Sequence, residues 1–476
     1  MRLTSLALLA TTAAVSGVPG VARAQQQSTP AASGGTTTGT KVALRKLGPI
    51  VATATDSLGA FGGVRALPGG GVLVNDMSRR RVLMLDGGLA TASVVVDSAS
   101  GAVNSYGPQP GGLIPYRGDS TLFVDAASLS MLVIDPKGVV ARVMSVPRSE
   151  DARALSGAIG ATAGFDAQGR LVYRGFPRFN MDRRGGPAGA GGRVEGARPG
   201  GNPAVINGPA GGGMPAMPDT SAIVRIDLAT RQVDTVGYVK VPRPNMSMTT
   251  DADGKMQVNV VVNPLPTVDE WAVTSDGAIA IVRGRDYHID WVNPDGSRTA
   301  SAKLPFDWKR MTDEDKEAFI DSLKAARARQ GPNAPMPFVG GMGGAPGGAP
   351  QVMTRMEVRE GGPPGAGGAP PRSETRISSG APNMEFAPAS ELPDYRPPFF
   401  PGAVRADREG NLWIRTTAAT TEAGASAWDV VDRKGTLVDR VQVPSGRQIV
   451  GFGAYGTVLL SSREGNNTKL EKAKLR

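Results

Sequence analysis

The chain has 476 residues, a formal net charge of +10, no cysteine and a single histidine. Without cysteine it can form no disulfide, carry no thiol-linked lipid and bind no zinc through thiolates. A single imidazole also excludes sites that need several, which removes most zinc and copper enzymes. The basic residues are scattered without a run of five, so we expect no nucleic-acid partner, whereas an anionic polymer is compatible with the charge.

The first residues have the form of a secretory signal peptide. Arg2 precedes a short apolar run, Leu3–Val15, and Ala22-Arg23-Ala24 fits the small-x-small cleavage rule. We predict that residues 1–24 are removed after Ala24, that residues 25–40 form a disordered linker, and that the protein is periplasmic or secreted. No later stretch approaches the ~18 apolar residues of a membrane span, so none is expected.

From residue 41 to residue 476 a unit of about fifty residues recurs. In each copy a short β-rich strand ends in Asp or Asn, a turn follows, and another strand begins. The copies with this pattern are Val82–Asp86, Met131–Asp135, Ile223–Asp227, Ile289–Asn293 and Asp429–Asp432. Asp or Asn opens such turns by bonding its own backbone, and a following Gly accepts positive φ.

A Gly-containing turn and an alternating strand precede each copy, as in Ser275-Asp276-Gly277 before Ile279 and Ile281. Alternation with a period of two indicates half-buried strands joined by hairpins. Each unit therefore supplies four strands, whose apolar face must be buried against neighbouring units. The sixth unit is split, because residues 448–476 supply three strands and Val42–Thr53 the fourth, which would join the two chain ends. A β-sandwich array is the alternative fold.

The repeat resembles that of the six-bladed propellers of the NHL, TolB-like and gluconolactonase-like group, over most of the chain that follows the signal peptide. The resemblance implies an all-β fold, a six-bladed β-propeller. Two tracts rich in Gly and Pro, residues 182–218 and 331–390, are predicted to be low-complexity insertions. One short surface helix is expected from Thr312, which can cap it, to Gly331-Pro332, which ends it. Its apolar stripe is Phe319, Leu323 and Ala326.

In the propellers that this chain resembles, the loops from second to third strand and from blade to blade share one face, which usually carries the function. The insertion 182–218 and the segments 243–268 and 306–400 fall on that face. Polar residues at the ends of the second strands would point to it. These are Asn75, Asp76, Asp125, Arg174, Arg283, Arg285 and Arg415. The arginines could bind a carboxylated or sulfated ligand bidentately, or the set could form structural ion pairs between blades.

Two functions remain open from the sequence. One is a non-catalytic exported propeller that binds a protein or an anionic polymer of the cell envelope through its insertion-rich face. The alternative is a divalent-metal-dependent hydrolase or lactonase with Ca²⁺ or Mg²⁺ in its central channel. The resemblance implies a Glu, Asn and Asp set for the latter, for which Asn75, Asp76 and Asp125 are candidates by position, while no matching Glu is evident.

Two further features favour structural roles. Asp251-Ala252-Asp253-Gly254 matches part of a calcium loop but lacks the carboxylates at the first and last positions, so we interpret it as a hairpin turn. His288 lies in an alternating strand with Asp290. General-base catalysis by this histidine is an alternative, but we expect it to form hydrogen bonds within its blade.

Overall fold

The structure, a computed structural model, describes residues 42–98, 105–157, 163–176, 218–250, 256–330, 383–465 and 467–475. The predicted signal peptide and linker, nearly all of the insertion 182–218 and the segment Asp251–Gly254 lie outside these residues. Within the described ranges, no helix combines the length and apolarity that crossing a membrane requires.

Six sheets of antiparallel strands form the blades, and the chain enters them in order. Two strands come first, β1 (Leu44–Lys46) and β2 (Ile50–Thr53). Blade 1 contains β3 (Phe61–Ala66), β4 (Val72–Asp76), β5 (Arg81–Leu85) and β6 (Ala92–Val96). Blade 2 contains β7 (Gly112–Pro115), β8 (Thr121–Asp125), β9 (Ser130–Ile134) and β10 (Val140–Ser145), and a short helix α1 (Ala152–Leu155) follows it. Blade 3 contains β11 (Gly164–Phe165), β12 (Leu171–Arg174), β13 (Thr220–Ile226) and β14 (Val233–Lys240).

The second half of the chain completes the ring and adds a small module beside it. After β15 (Asn245–Thr250) and β16 (Met256–Val262), blade 4 contains β17 (Glu270–Val273), β18 (Ile279–Arg283), β19 (His288–Val292) and β20 (Arg298–Ala300). Helix α2 (Asp313–Gln330) and β21 (Asn383–Phe386) precede blade 5, which contains β22 (Phe399–Ala406), β23 (Leu412–Thr416), β24 (Ser426–Val431) and β25 (Leu437–Val443). Blade 6 contains β26 (Arg447–Phe452), β27 (Thr457–Glu464), β28 (Asn467–Lys474) and β2.

The predicted six-bladed β-propeller is confirmed, and the sixth blade is split between the two ends of the chain. β2 pairs antiparallel with β28, with Ile50 opposite Ala473 and Thr53 opposite Glu471. Only part of the predicted segment Val42–Thr53 serves blade 6, because β1 pairs in parallel with β25 of blade 5. Leu47, between the two strands, is buried in the cluster that joins these blades. The N-terminal segment therefore ties blade 5 to blade 6.

The recurring Asp of the sequence repeat holds the turn between third and fourth strands. Asp135 Oδ1 accepts hydrogen bonds from the backbone N–H groups of Lys137 and Val139 at 2.9 and 2.8 Å. Asp432 does the same for the N–H groups two and four residues further on, at 2.9 and 2.8 Å. Gly138 sits in the first of these turns with φ of 82°, a conformation that costs glycine little. Short side chains and glycine thus keep this face of the propeller free of long loops.

The core consists of apolar layers between neighbouring blades. In one such layer Trp413 and Val441 of blade 5 are packed with Ile449 and Leu460 of blade 6. The first strands come closest together around the axis, where space is limiting. A β-carbon added to Gly164 in β11 would lie 2.9 Å from Cβ of Val273 in β17, so the approach of blade 3 to blade 4 requires glycine there.

The long connections leave the face opposite to these tight turns. They join β12 to β13, β14 to β17, and β20 to β22. The last two build an accessory module, in which β16 pairs antiparallel with β15 and parallel with β21 beside α2. The helix is confirmed, with Thr312 Oγ1 accepting the N–H of Asp315 at 3.1 Å and Leu323 buried. The predicted insertion 331–390 includes β21.

The ring closure predicts a large difference between two shortened chains. A chain that begins at Val42 keeps every described strand, whereas one that begins at Ala54 loses β1, β2 and the buried Leu47. Loss of Leu47 burial alone costs about 2 kcal/mol, and β28 becomes an unpaired edge. We expect the thermal unfolding midpoint to fall by several degrees, or the protein to aggregate, only for the chain that begins at Ala54. Equal midpoints for the two chains would contradict this account of the closure.

Candidate anion-binding site

Asn75, at the end of β4, is fully buried and links blade 1 to the start of blade 2. Its Nδ2 donates to the carbonyl of Gly111 at 2.7 Å, and its Oδ1 accepts from the hydroxyl of Tyr106 at 2.9 Å. That same hydroxyl accepts the N–H of Gly111 at 3.0 Å. Burial is the main reason that the pKa of Tyr106 is raised, so the phenol stays neutral. Both ends of the Asn75 amide are therefore used within the fold.

Asp76 and Asp125 hold the turns that follow their strands. Asp76 is fully buried, accepts the N–H of Gly59 at 3.2 Å and lies 3.4 Å from Nε of Arg81. Asp125 accepts the N–H of Ala127 at 3.1 Å and the hydroxyl of Ser128 at 2.6 Å. Asp76 and Asp125 therefore accept hydrogen bonds from nearby backbone N–H groups, a role that the sequence pattern predicted only for the aspartates at the ends of third strands, such as Asp135.

Arg283 and Arg285, at the end of β18, differ sharply in their surroundings. Arg283 donates to Asp290 at 2.7 Å, to Asp269 at 2.8 Å and to the backbone carbonyl of Tyr238 in blade 3 at 2.9 Å. It is therefore a structural ion-pair centre between blades 3 and 4. Arg285 is exposed.

His288, the only histidine, lies between two carboxylates. Its Nδ1 is 2.7 Å from Oδ1 of Asp286 and its Nε2 is 3.2 Å from Oδ1 of Asp290. Since Asp290 also receives Arg283, both ring nitrogens belong to a hydrogen-bonded network of blade 4. This geometry is the one expected of a histidine with a structural role.

Arg174 and Arg415 have no comparable partners. Arg174, at the end of β12, is 6% exposed, and it lies on the same face of the strand as Val172, which packs between blades 3 and 4. Desolvation lowers the pKa of Arg174 and of Arg415, and the charge of Glu270 partly offsets that effect in each. Among the described residues, none accepts a hydrogen bond from either guanidinium. Arg174 is buried and Arg415 is half-buried, so both guanidinium groups are partly desolvated, and an acceptor that binds them would offset that cost.

Two charged residues of the innermost strands interact electrostatically with these arginines. Glu270 begins β17 and is 2% exposed, and its Oε1 accepts the N–H of Gly402 at 2.8 Å. Arg405, in β22, donates from Nε to the carbonyl of Ile449 in blade 6 at 3.0 Å. Neither residue was predicted, because both lie in first strands, whereas the candidate residues were those at the ends of second strands. The available signal was a charged residue within an otherwise apolar first strand, as in Glu270-Trp271-Ala272-Val273.

We call Arg174, Glu270, Arg405 and Arg415 the channel cluster, since two of the four lie on innermost strands. Desolvation and the neighbouring Arg415 lower the pKa of Arg405 to about 10. Burial raises the pKa of Glu270, although Arg174 acts in the opposite direction. Three guanidinium groups thus lie within electrostatic range of one carboxylate, so the cluster has an excess of positive charge. Such a site favours an oxyanion, which arginine can bind with paired hydrogen bonds.

The described residues offer no obvious cation site. Nowhere among them do three His, Asp or Glu side chains gather closely enough to hold a metal ion. Asn75, Asp76 and Asp125, the candidates for a Ca²⁺ or Mg²⁺ site, are each committed to the hydrogen bonds given above.

No family model matches the chain, and no curated protein does so at a significant level. Among solved structures, virginiamycin B lyase from Staphylococcus aureus is similar at 11% identity and a TM-score of 0.34, over 88% of this chain and 99% of the other. Regucalcin, a calcium-binding protein from Agrobacterium tumefaciens, is similar at 12% identity and a TM-score of 0.35, over 91% of this chain and 98% of the other. A gluconolactonase from Xanthomonas campestris is similar at 14% identity and a TM-score of 0.25, over 90% of this chain and 99% of the other. At these values the likeness carries no argument about activity. The sheet topology of this chain itself makes it a six-bladed β-propeller.

Substitution of a hydrogen-bonded polar residue and substitution of an arginine of the channel cluster should have opposite effects on stability. Asn75→Ala leaves the Tyr106 hydroxyl without its acceptor and the Gly111 carbonyl without its side-chain donor, so we expect the free energy of unfolding to fall by about 1–3 kcal/mol. Arg415→Met keeps an unbranched side chain but removes a partly desolvated charge that has no acceptor in the described parts of the chain, so stability should stay unchanged or rise. Chemical denaturation of both variants beside the unsubstituted protein measures this. A marked loss of stability in Arg415→Met would show that this arginine is structural.

Proposed function

We propose that this chain is an exported, non-catalytic binding propeller whose channel cluster holds an anionic group of an envelope protein or polymer. The observation that carries the proposal is that the buried Arg174 and the half-buried Arg415 donate to no acceptor among the described residues. Arg174 ends the second strand of blade 3 and therefore lies toward the face that the long connections leave. A ligand on that face would meet the cluster.

Binding is favoured over metal-dependent hydrolysis because of how the polar side chains are used. The three residues that could have formed the metal site hold turns or link blades, whereas Arg174 and Arg415, which donate to none of the described residues, are cationic. An oxyanion placed between guanidinium groups is stabilised without any chemistry being performed on it.

Sulfate is a suitable first probe of the cluster. We expect sulfate to raise the thermal unfolding midpoint of the full chain more than chloride at equal ionic strength, because a ligand that binds only the folded state stabilises it. Arg174→Gln and Arg415→Gln should each remove most of this difference. Arg285→Gln, which removes an exposed arginine outside the cluster, is the matched control and should keep it. A sulfate effect that survives both cluster substitutions would overturn the proposed site.

The proposal also predicts how sulfate binding changes with pH. Burial raises the pKa of Glu270, so its carboxyl is neutral at low pH and becomes charged as the pH rises through that raised value. The guanidinium groups stay charged over this range, and the affinity for sulfate should therefore fall with rising pH. Glu270→Gln should hold the affinity near its low-pH level throughout. Titration calorimetry across the range measures both, and an unchanged pH profile in Glu270→Gln contradicts the role of this carboxyl.

Export is a separate part of the proposal, supported by the sequence of residues 1–24. We expect the mature protein recovered from the outer compartments of a bacterial host to begin at Gln25, as mass spectrometry of the intact chain would determine. Recovery of the chain from the cytoplasm with Met1 still attached would contradict export.

A further inference from the structure

The carboxylate of Glu270 is only half satisfied. Its Oε1 accepts the N–H of Gly402 at 2.8 Å, while its Oε2 is buried and has no hydrogen-bond partner within the described parts of the chain. A buried acceptor without a donor costs about 1–3 kcal/mol, and more when it is charged. Buried carboxylates therefore normally have donors on both oxygens.

The local backbone is arranged to present this carboxylate. The pairing of β22 with β23 is interrupted between Phe399 and Val404, so the intervening residues leave the regular ladder. Gly402 lies in this irregular stretch with φ of 77°, and its N–H is directed to Glu270 instead of a neighbouring strand. The strand interruption and the glycine together fix one oxygen and leave the other, which is buried, without a donor among the described residues.

The charges around Glu270 restrict what can donate to Oε2. Arg174, Arg405 and Arg415 all interact electrostatically with this carboxylate. An ammonium group placed beside it would be repelled by three guanidinium groups, whereas a neutral hydroxyl or amide N–H would not. The same guanidinium groups attract an oxyanion. The cluster therefore offers an anion position and, next to it, an acceptor for a neutral donor.

We propose that the ligand of the channel cluster carries an oxyanion together with an adjacent neutral hydrogen-bond donor, the oxyanion bound by Arg174 and Arg415 and the donor by Oε2 of Glu270. This inference rests on the proposed anion-binding function and specifies its ligand. Two sources share the chemistry: a hydroxy acid, in which a hydroxyl lies beside the carboxylate, and an acylated amino acid or peptide C-terminus, in which the donor is an amide N–H.

Matched ligand pairs that differ only in the donor test the inference. We would titrate the full chain at about pH 8, well above the ordinary pKa of a glutamate, with lactate against 2-methoxypropionate and with N-acetylalanine against N-acetyl-N-methylalanine. The donor-bearing member of at least one pair should bind about five to ten times more tightly, as expected of a hydrogen bond to a charged acceptor. The pair that shows the preference identifies the source, and a preference in both pairs assigns the shared chemistry.

Substitution of Glu270 should remove that preference. In Glu270→Met the donor-bearing and donor-lacking members should bind equally, whereas Glu409→Met, at an exposed carboxylate on the opposite face, should leave the preference unchanged. If Glu270→Met does not fold, as judged by circular dichroism, Glu270→Gln replaces it, and its neutral amide should reduce the preference to about twofold or less.

The outcomes separate this inference from the function on which it rests. Equal affinity within both pairs, with sulfate binding still dependent on Arg174 and Arg415, overturns the paired-ligand inference and leaves the anion site standing. A preference that persists in the Glu270 variants overturns the assignment to Oε2. Failure of sulfate and of all four carboxylates to bind overturns the anion site itself.

Discussion

Closure of the ring by β2 against β28 is the interaction on which the other features of this molecule depend. Each blade has an apolar face that only a neighbour can cover, so six sheets are stable only when the sixth meets the first. The closing strand comes from the other end of the chain, and β1 attaches the same segment to blade 5. Two blades are thus tied by one short segment, with Leu47 buried between them.

A closed ring brings the first strands of all blades around one axis, and this has an electrostatic consequence. Small residues are needed there, as at Gly164, and any charged residue on these strands is desolvated. Glu270 and Arg405 are such residues, and their pKa values move in the directions that burial of charge demands. On the opposite face Arg65 is also desolvated, but it donates to the carbonyl of Ser120 and the hydroxyl of Thr121. The channel cluster differs because Arg174 and Arg415 have no such acceptors within the described ranges of the chain.

Much of the fold was predictable because its turns and strands depend on residues that are close together in the chain. Asp135 and Gly138 specify a turn wherever they occur at that spacing, and alternating apolar residues specify a strand with one buried face. The split sixth blade followed from counting strands. The pairing of β1 with blade 5 could not be predicted, because a strand of three residues is too short for its sequence to indicate which strand it pairs with. The candidate site was predicted less well, since Asn75, Asp76, Asp125 and Arg283 occupy equivalent strand ends and yet serve the fold.

The sequence by itself determined the strand repeat, its turns, the capped helix and the need for closure, since each depends on residues close together in the chain. Only the tertiary structure decided which polar side chains remain without partners. Glu270 meets Gly402 across 132 positions, and Arg405 meets Ile449 across 44. Hydrogen bonds of this kind are made between blades, and their geometry depends on how the blades pack. A residue's chemical type is local information, but whether its hydrogen bonds are already taken is a property of the whole ring.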